Sequence, residues 1–194
     1  ACAPYRRLHL CDYNLENIND VKKIDTKDNL LLEVSLAAKY EGTSLKGYHD
    51  QHQLTYPGYH SQLCTELARS FADIGDIVRG RDLYGGSKKE KEKREQLEKN
   101  LKTIFEKIRG NNNSTLKDLP LDELREYWWE ENREKIWKAI TCEAPKDSQY
   151  FRQTCGSSAK TAYVTPNRCQ CIAGEVPTYF DYVPQYLRWF EEWA

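Results

Sequence analysis

Methionine is missing from all 194 positions, and the chain opens on Ala1-Cys2, so it is expected to be a piece of a larger protein. Long hydrophobic runs are missing too. The longest, Leu30-Leu31-Leu32, falls far short of the ~20 residues that a membrane-spanning helix needs, so no membrane insertion by this segment is expected. No signal-peptide pattern occurs. Neither sign of charge is in excess: 29 Lys and Arg against 30 Asp and Glu give a net charge of −1. That balance argues against nucleic acid as a partner, and any polyanion would have to meet a local basic patch. No G-x-S-x-G, P-loop or glycine-rich dinucleotide motif is present. Neither an enzyme nor a cofactor is therefore expected.

What is present is a lean, charged, cysteine-containing chain. With 39% hydrophobic residues it can build one sizeable core under a highly charged surface. Seven cysteines (Cys2, Cys11, Cys64, Cys142, Cys155, Cys169 and Cys171) suggest disulfides formed in an oxidising compartment. Reduced, buried cysteines are the blander reading. A zinc site on Cys169-x-Cys171 is weaker, because structural zinc pairs are usually two to four residues apart. The odd count leaves one thiol over.

The stretch Tyr59 to Gly86 organises the rest. Leu63, Leu67, Phe71, Ile74 and Val78 step by four, four, three and four, which draws one stripe down a helix. Pro57-Gly58 punctuates its start, and Gly80 with Gly85-Gly86 its end. Before it, residues 1–27 have no sustained period and read as an irregular segment anchored by cysteines. Asp28 to Glu41 reads as a helix capped by Asp28 and stopped by Gly42, with Leu30, Val34, Ala37 and Ala38 on one face. Residues 42–58 read as a loop.

After it, Ser87-Lys88-Lys89-Glu90 has capping-box spacing. The first two turns of that helix carry no apolar residue, whereas Leu97, Leu101, Ile104 and Ile108 form a stripe that Gly110 ends. The first half should project into solvent and the second should pack. Asn111 to Thr115 is a polar break. Leu121 to Cys142 reads as a long helix with Leu124, Trp128, Ile136, Trp137 and Ile140 on its apolar face. An irregular stretch with three cysteines follows Pro145, and a last helix, rich in aromatics, begins at Pro184. The fold class is mainly α: an antiparallel helix bundle with irregular, disulfide-pinned flanking segments. Antiparallel packing of the Cys64 and Cys142 helices would bring those two sulfurs together, so a Cys64–Cys142 disulfide is expected.

Candidate chemistry is sparse. His49, His52 and His60 cluster in sequence, but the glutamate of H-E-x-x-H is missing, and they read as exposed loop histidines. The charges of Glu130-Glu131-Asn132-Arg133-Glu134-Lys135 read as surface ion pairs. Trp128, Trp129 and Trp137 read as core, the other possibility being a carbohydrate-stacking platform. The remaining signal is basic: Arg79, Arg81, Lys88, Lys89, Lys91, Lys93 and Arg94 fall within sixteen positions. Gathered at one end of a bundle they would attract sulfated or sialylated glycans. The competing reading is a solvated helix face paired with Glu90, Glu92 and Glu95.

Four blocks carry a resemblance. ARSFADIGDIVRGRDLYGG (Ala68 to Gly86), YWWEENREKIWKAITC (Tyr127 to Cys142), PTYFDYVPQYLRWFEEWA (Pro177 to Ala194) and the opening Cys2-to-Cys11 block resemble, in order and spacing, signature blocks of the Duffy-binding-like domain. Their wording is similar to the alpha class, found in the N-terminal head of the Plasmodium falciparum erythrocyte membrane protein 1 adhesins. The resemblance implies a disulfide-bonded helical domain, with no catalysis, on the extracellular face of the infected host-cell membrane as part of a larger membrane-anchored protein. It implies partners among erythrocyte or endothelial surface receptors, including sulfated or blood-group glycans, in cytoadhesion or rosetting. Residues 1–194 would be the first part of one such domain, with 28–194 its helical bundle, cysteine-rich loop and the start of a further helix. The other reading is a structural spacer supporting a neighbouring binding domain.

Overall fold

The computed structural model describes residues 2–11, 15, 24, 26–56, 62–111, 118–156 and 161–194. A short helix α1 (Tyr5–Leu8) is followed by α2 (Lys27–Thr55), α3 (Leu63–Arg79), α4 (Lys88–Asn111) and α5 (Leu121–Ile140), then a 3-10 turn (Phe180–Tyr182) and α6 (Gln185–Trp193). No strand occurs among the described residues; the loop after α5 has two isolated bridges, Cys155 with Tyr163 and Asn167 with Gln170.

The mainly helical expectation holds, and α3 lies at its centre. Its stripe is buried, as are Cys64, Ser70, Asp73, Asp76 and Arg79, because neighbours cover it on every side. At its end Gly80 adopts the left-handed conformation at φ 74°, the Gly80 N–H reaches the Ile77 carbonyl and the Arg81 N–H the Asp76 carbonyl. This pair of bonds is a Schellman cap. The direction of packing follows from contacts. Arg125 near the start of α5 donates to Val78 and Ile77 at the end of α3, while Phe71 meets both Trp129 and Trp137 edge-on or tilted. Helix α3 is thus antiparallel to α5. It is also antiparallel to α2, since Ser70 bonds Glu41 while Leu63 and Glu66 lie beside Leu45 and His49. Helices α2 and α5 consequently run parallel.

Gly42 does not end α2, which continues to Thr55. A Cβ at Gly42 would land on the Ile140 carbonyl oxygen, so the glycine allows α2 and α5 to cross closely. Its cap is Thr26, whose hydroxyl accepts from the Asn29 N–H, in place of Asp28. His49 and His52 therefore lie on a helix and not in a loop. His49 is largely covered and His52 exposed; His60 lies outside the described residues. The capping box of α4 forms as expected: the Ser87 N–H donates to Glu90 at 2.6 Å and the Glu90 N–H to the Ser87 hydroxyl at 3.4 Å. Leu97, Leu101, Ile104 and Ile108 are buried, joined by Phe105, while Lys88 to Lys93 stay at the surface. All three tryptophans expected in the core are there.

The expected Cys64–Cys142 bond is corrected. Cys64 pairs with Cys169, and Cys155 pairs with Cys171. The loop after α5 folds back over the end of that helix, where Trp137 donates to the Cys169 carbonyl and Gln170 to the Thr141 hydroxyl. Cys169 is thereby laid over Cys64, and Cys142 is left half-buried as a free thiol whose carbonyl accepts from Arg168. Cys2 is an exposed free thiol, so the opening segment is not pinned through it. It is held by Arg6 and Arg7.

Candidate receptor-binding face and the arginine lattice behind it

A set of polar residues in the signature blocks, Asp73, Asp76, Arg79, Arg133, Asp181, Gln185 and Arg188 among them, is buried. Asp73 of α3 accepts from Arg6 at 2.8 Å, from Arg188 at 2.7 Å and from Gln185 at 3.1 Å. Arg188 also reaches Asp76 at 2.5 Å, and Arg79 reaches Asp76 and the Asp181 carbonyl. Arg133 grips both oxygens of Asp181 at 2.8 and 2.9 Å, while the Trp129 indole donates to the same carboxylate. Arg133 is thus buried, contrary to its reading as a surface pair. At the far end Asp82 collects Arg7 at 2.7 Å, Gln185 at 2.8 Å and Arg94. Buried charge of this kind persists only when every carboxylate has cationic or hydrogen-bonding partners.

The titration of these groups follows. Burial pushes Asp73 up, but the Arg6 and Arg188 guanidiniums outweigh it, and its pKa ends below the usual 3.8. For Asp76 burial prevails over Arg188 and Arg79, and its pKa is raised. Burial also raises Glu41, against hydrogen bonds from Ser70 and Cys11. Arg6 is raised despite burial, through Asp73 and Glu192.

This lattice divides the seven basic residues singled out from sequence. Arg79 is fully buried between Asp76, Glu126 and the Asp181 carbonyl, and its ring partners are Trp129 and Tyr182. Arg94 is mostly covered, paired with Asp82 and lying 5.1 Å from the centre of the Tyr84 ring. Both brace the fold and do not present charge to a partner. Arg81 is 58% exposed and meets Glu126 at 2.8 Å. Lys88, Lys89, Lys91 and Lys93 are exposed on the first two turns of α4. Glu90 is drawn away from them into the capping box and a 3.2 Å bond from the Tyr84 hydroxyl, which together hold its pKa below the ordinary value. Of the seven, those left at the surface are therefore Arg81 on the link after α3 and four lysines on the first two turns of α4.

Among the described residues no cluster of three or more His, Cys, Asp or Glu could hold a metal ion, and no helix is long and apolar enough to cross a membrane. Sequence reasoning missed the lattice. The available signal was Asp73, Asp76 and Arg79 set among the apolar residues of the second half of α3.

Comparison with known proteins places this geometry. The Duffy binding domain family model matches residues 1–188. The Duffy receptor beta form of Plasmodium knowlesi is 27% identical over 202 residues, covering 100% of this chain and 14% of the receptor. The crystal structure of the NTS-DBL1(alpha-1) domain of Plasmodium falciparum membrane protein 1 (PfEMP1) from the varO strain superposes with a TM-score of 0.84 at 43% identity. It covers 100% of this chain and 43% of its own. The PfEMP1 IT4var13 DBLbeta domain, solved bound to ICAM-1, gives a TM-score of 0.70 at 32% identity, over 100% of this chain and 44% of its own. The chain thus spans less than half of each of these relatives. They are surface adhesins and not enzymes. The chain belongs to the Duffy binding domain family, as a Duffy-binding-like segment of the PfEMP1 type.

Proposed function

We propose that this chain is a host-receptor-binding adhesin module, the first part of one Duffy-binding-like domain, whose basic turn touches sulfated or sialylated glycans on erythrocyte or endothelial surfaces. The supporting observation is the exposure of Lys88, Lys89, Lys91, Lys93 and Arg81, while Arg79 and Arg94 are committed inward. Lys88 and Lys91 share one face of α4 and Lys89 and Lys93 another, so an anionic chain crossing the turn meets positive charge on either side. Exposed lysines among glutamates give weak monovalent contact. Attachment then depends on many copies acting together at the surface of an infected cell, as cytoadhesion or rosetting requires. The ICAM-1 complex of the DBLbeta relative supports the receptor-binding half of the reading.

The test is immobilised heparin across a salt gradient. Reversing Lys88, Lys89 and Lys91 to Glu should lower the eluting salt concentration and leave helicity intact, because none of the three is buried. An unmoved elution point would favour the second reading, a spacer that supports a neighbouring binding domain.

A further inference from the structure

A cavity of about 280 Å³ lies beside the basic turn, where the link after α3 meets the start of α6. Leu83, Tyr182, Val183 and Tyr186 wall it and are all exposed, Asp76 lies on its floor, and Arg81 stands at its rim. Four large apolar side chains around one concavity differ from the single exposed residues scattered over an ordinary surface. The floor offers no uncompensated charge, since Arg79 and Arg188 hold Asp76. Three main-chain groups around it are already engaged: the Leu83 N–H donates to Gln185, and the Asp181 and Val183 carbonyls accept from Arg79 and Arg188. A peptide strand seeking main-chain partners would find none of these groups available.

Two polar groups remain for a ligand. One terminal nitrogen of Arg81 meets Glu126, which leaves other N–H groups of the fork. The Tyr186 hydroxyl makes no hydrogen bond to the described residues, and that side chain is 52% exposed. A pyranose ring fits this set. Its C–H face packs on tyrosine and aliphatic side chains, its hydroxyls bond the phenol, and an acid group on it pairs with a guanidinium.

We propose that the cavity holds one acidic pyranose, a uronate or a sulfated hexose, from a glycan whose remaining residues lie over the α4 lysines. This rests on the glycan-binding reading above and gives it an orientation. Leu83 and Lys88 are five residues apart, so their Cα atoms are within about 18 Å, a span that a short oligosaccharide covers.

The experiment is saturation-transfer NMR on the full chain with a heparin-derived tetrasaccharide, using inorganic triphosphate as a sugar-free polyanion. Transfer should be strongest at one terminal pyranose. Tyr186→Ala and Arg81→Gln should each weaken the tetrasaccharide at least fivefold, whereas Tyr127→Ala, exposed in a different groove, should not change it. Circular dichroism verifies folding, and should Tyr186→Ala lose helicity, Tyr186→Phe, which removes only the exposed hydroxyl, decides. Even transfer along the tetrasaccharide, indifference to both substitutions, or equal displacement by triphosphate would overturn the cavity. Failure of the basic turn is a separate result, read as an unmoved heparin elution in the lysine-reversal variant.

Discussion

Asp73 is fully buried and accepts from two guanidiniums, the Gln185 amide and, at 3.4 Å, the Trp189 indole. Removing its charge leaves Arg6 and Arg188 short of a partner in the interior, and breaking a buried pair in this way costs about 3–5 kcal/mol. Asp73→Asn should lower stability by that order in urea denaturation at pH 7. The pH dependence has a definite sign. The folded pKa of Asp73 is lowered, so its contribution is present above the ordinary 3.8 and is lost as pH falls through the depressed value. Glu41 is raised, so its contribution is present below 4.5 and is lost as pH rises through the elevated value. Asp73→Asn should flatten the acid side of the stability profile, and Glu41→Gln the rise-of-pH side. Wild-type slopes in both variants would mean that other groups govern the profile. Trp137, buried against Phe71 and bonded to the Cys169 carbonyl, should cost about 3–5 kcal/mol when cut to Ala. Loss of glycan binding at unchanged melting temperature would instead make it a ligand platform.

Helix α2 contains two interior glycines with opposite surroundings. Gly42 lies against the Ile140 backbone, which cannot swing aside as a side chain could, so Gly42→Ala must part α2 from α5. Overpacking of this kind costs about 1–3 kcal/mol. Gly47 has open space where its Cβ would go, and Gly47→Ala should gain up to about 1 kcal/mol by restricting the unfolded chain and improving helix propensity. Thermal melts of the two variants should therefore move in opposite directions. Movement of both the same way would show that the α2–α5 crossing is not what Gly42 serves. The same element explains why a helix end was expected there: a glycine after an apolar face is the ordinary stop signal, and local sequence cannot distinguish it from a crossing point.

Across the molecule, two disulfides close very different loops. Cys64–Cys169 spans 105 residues and Cys155–Cys171 spans 16. On the chain-entropy account such loops contribute about 4.7 and about 3 kcal/mol respectively. Serine at both Cys64 and Cys169 should lower the melting temperature more than serine at both Cys155 and Cys171. Non-reducing peptide mapping should recover the 64–169 and 155–171 peptides; a 64–142 peptide would reverse the pairing.

Local patterns carried much of this. The α3 stripe, the Gly80 stop, the α4 capping box with its solvent-facing first turns, and the buried tryptophans each depend on neighbours three or four residues away. A single sequence reports such neighbours directly. The family was legible for a different reason: four long blocks in register are far more specific than any short motif. What only the tertiary structure decided are the pairings that span the chain. Arg6 meets Asp73 and Glu192, Cys64 meets Cys169, and Gly42 meets Ile140, over separations that no periodicity encodes. The candidate site was divided by the same cause. All seven basic residues look alike in the sequence, yet Arg79 and Arg94 were drawn inward because Asp76 and Asp82 lie within reach of them, and a buried carboxylate without a cation is costly. Lys88, Lys89, Lys91 and Lys93 stay at the surface.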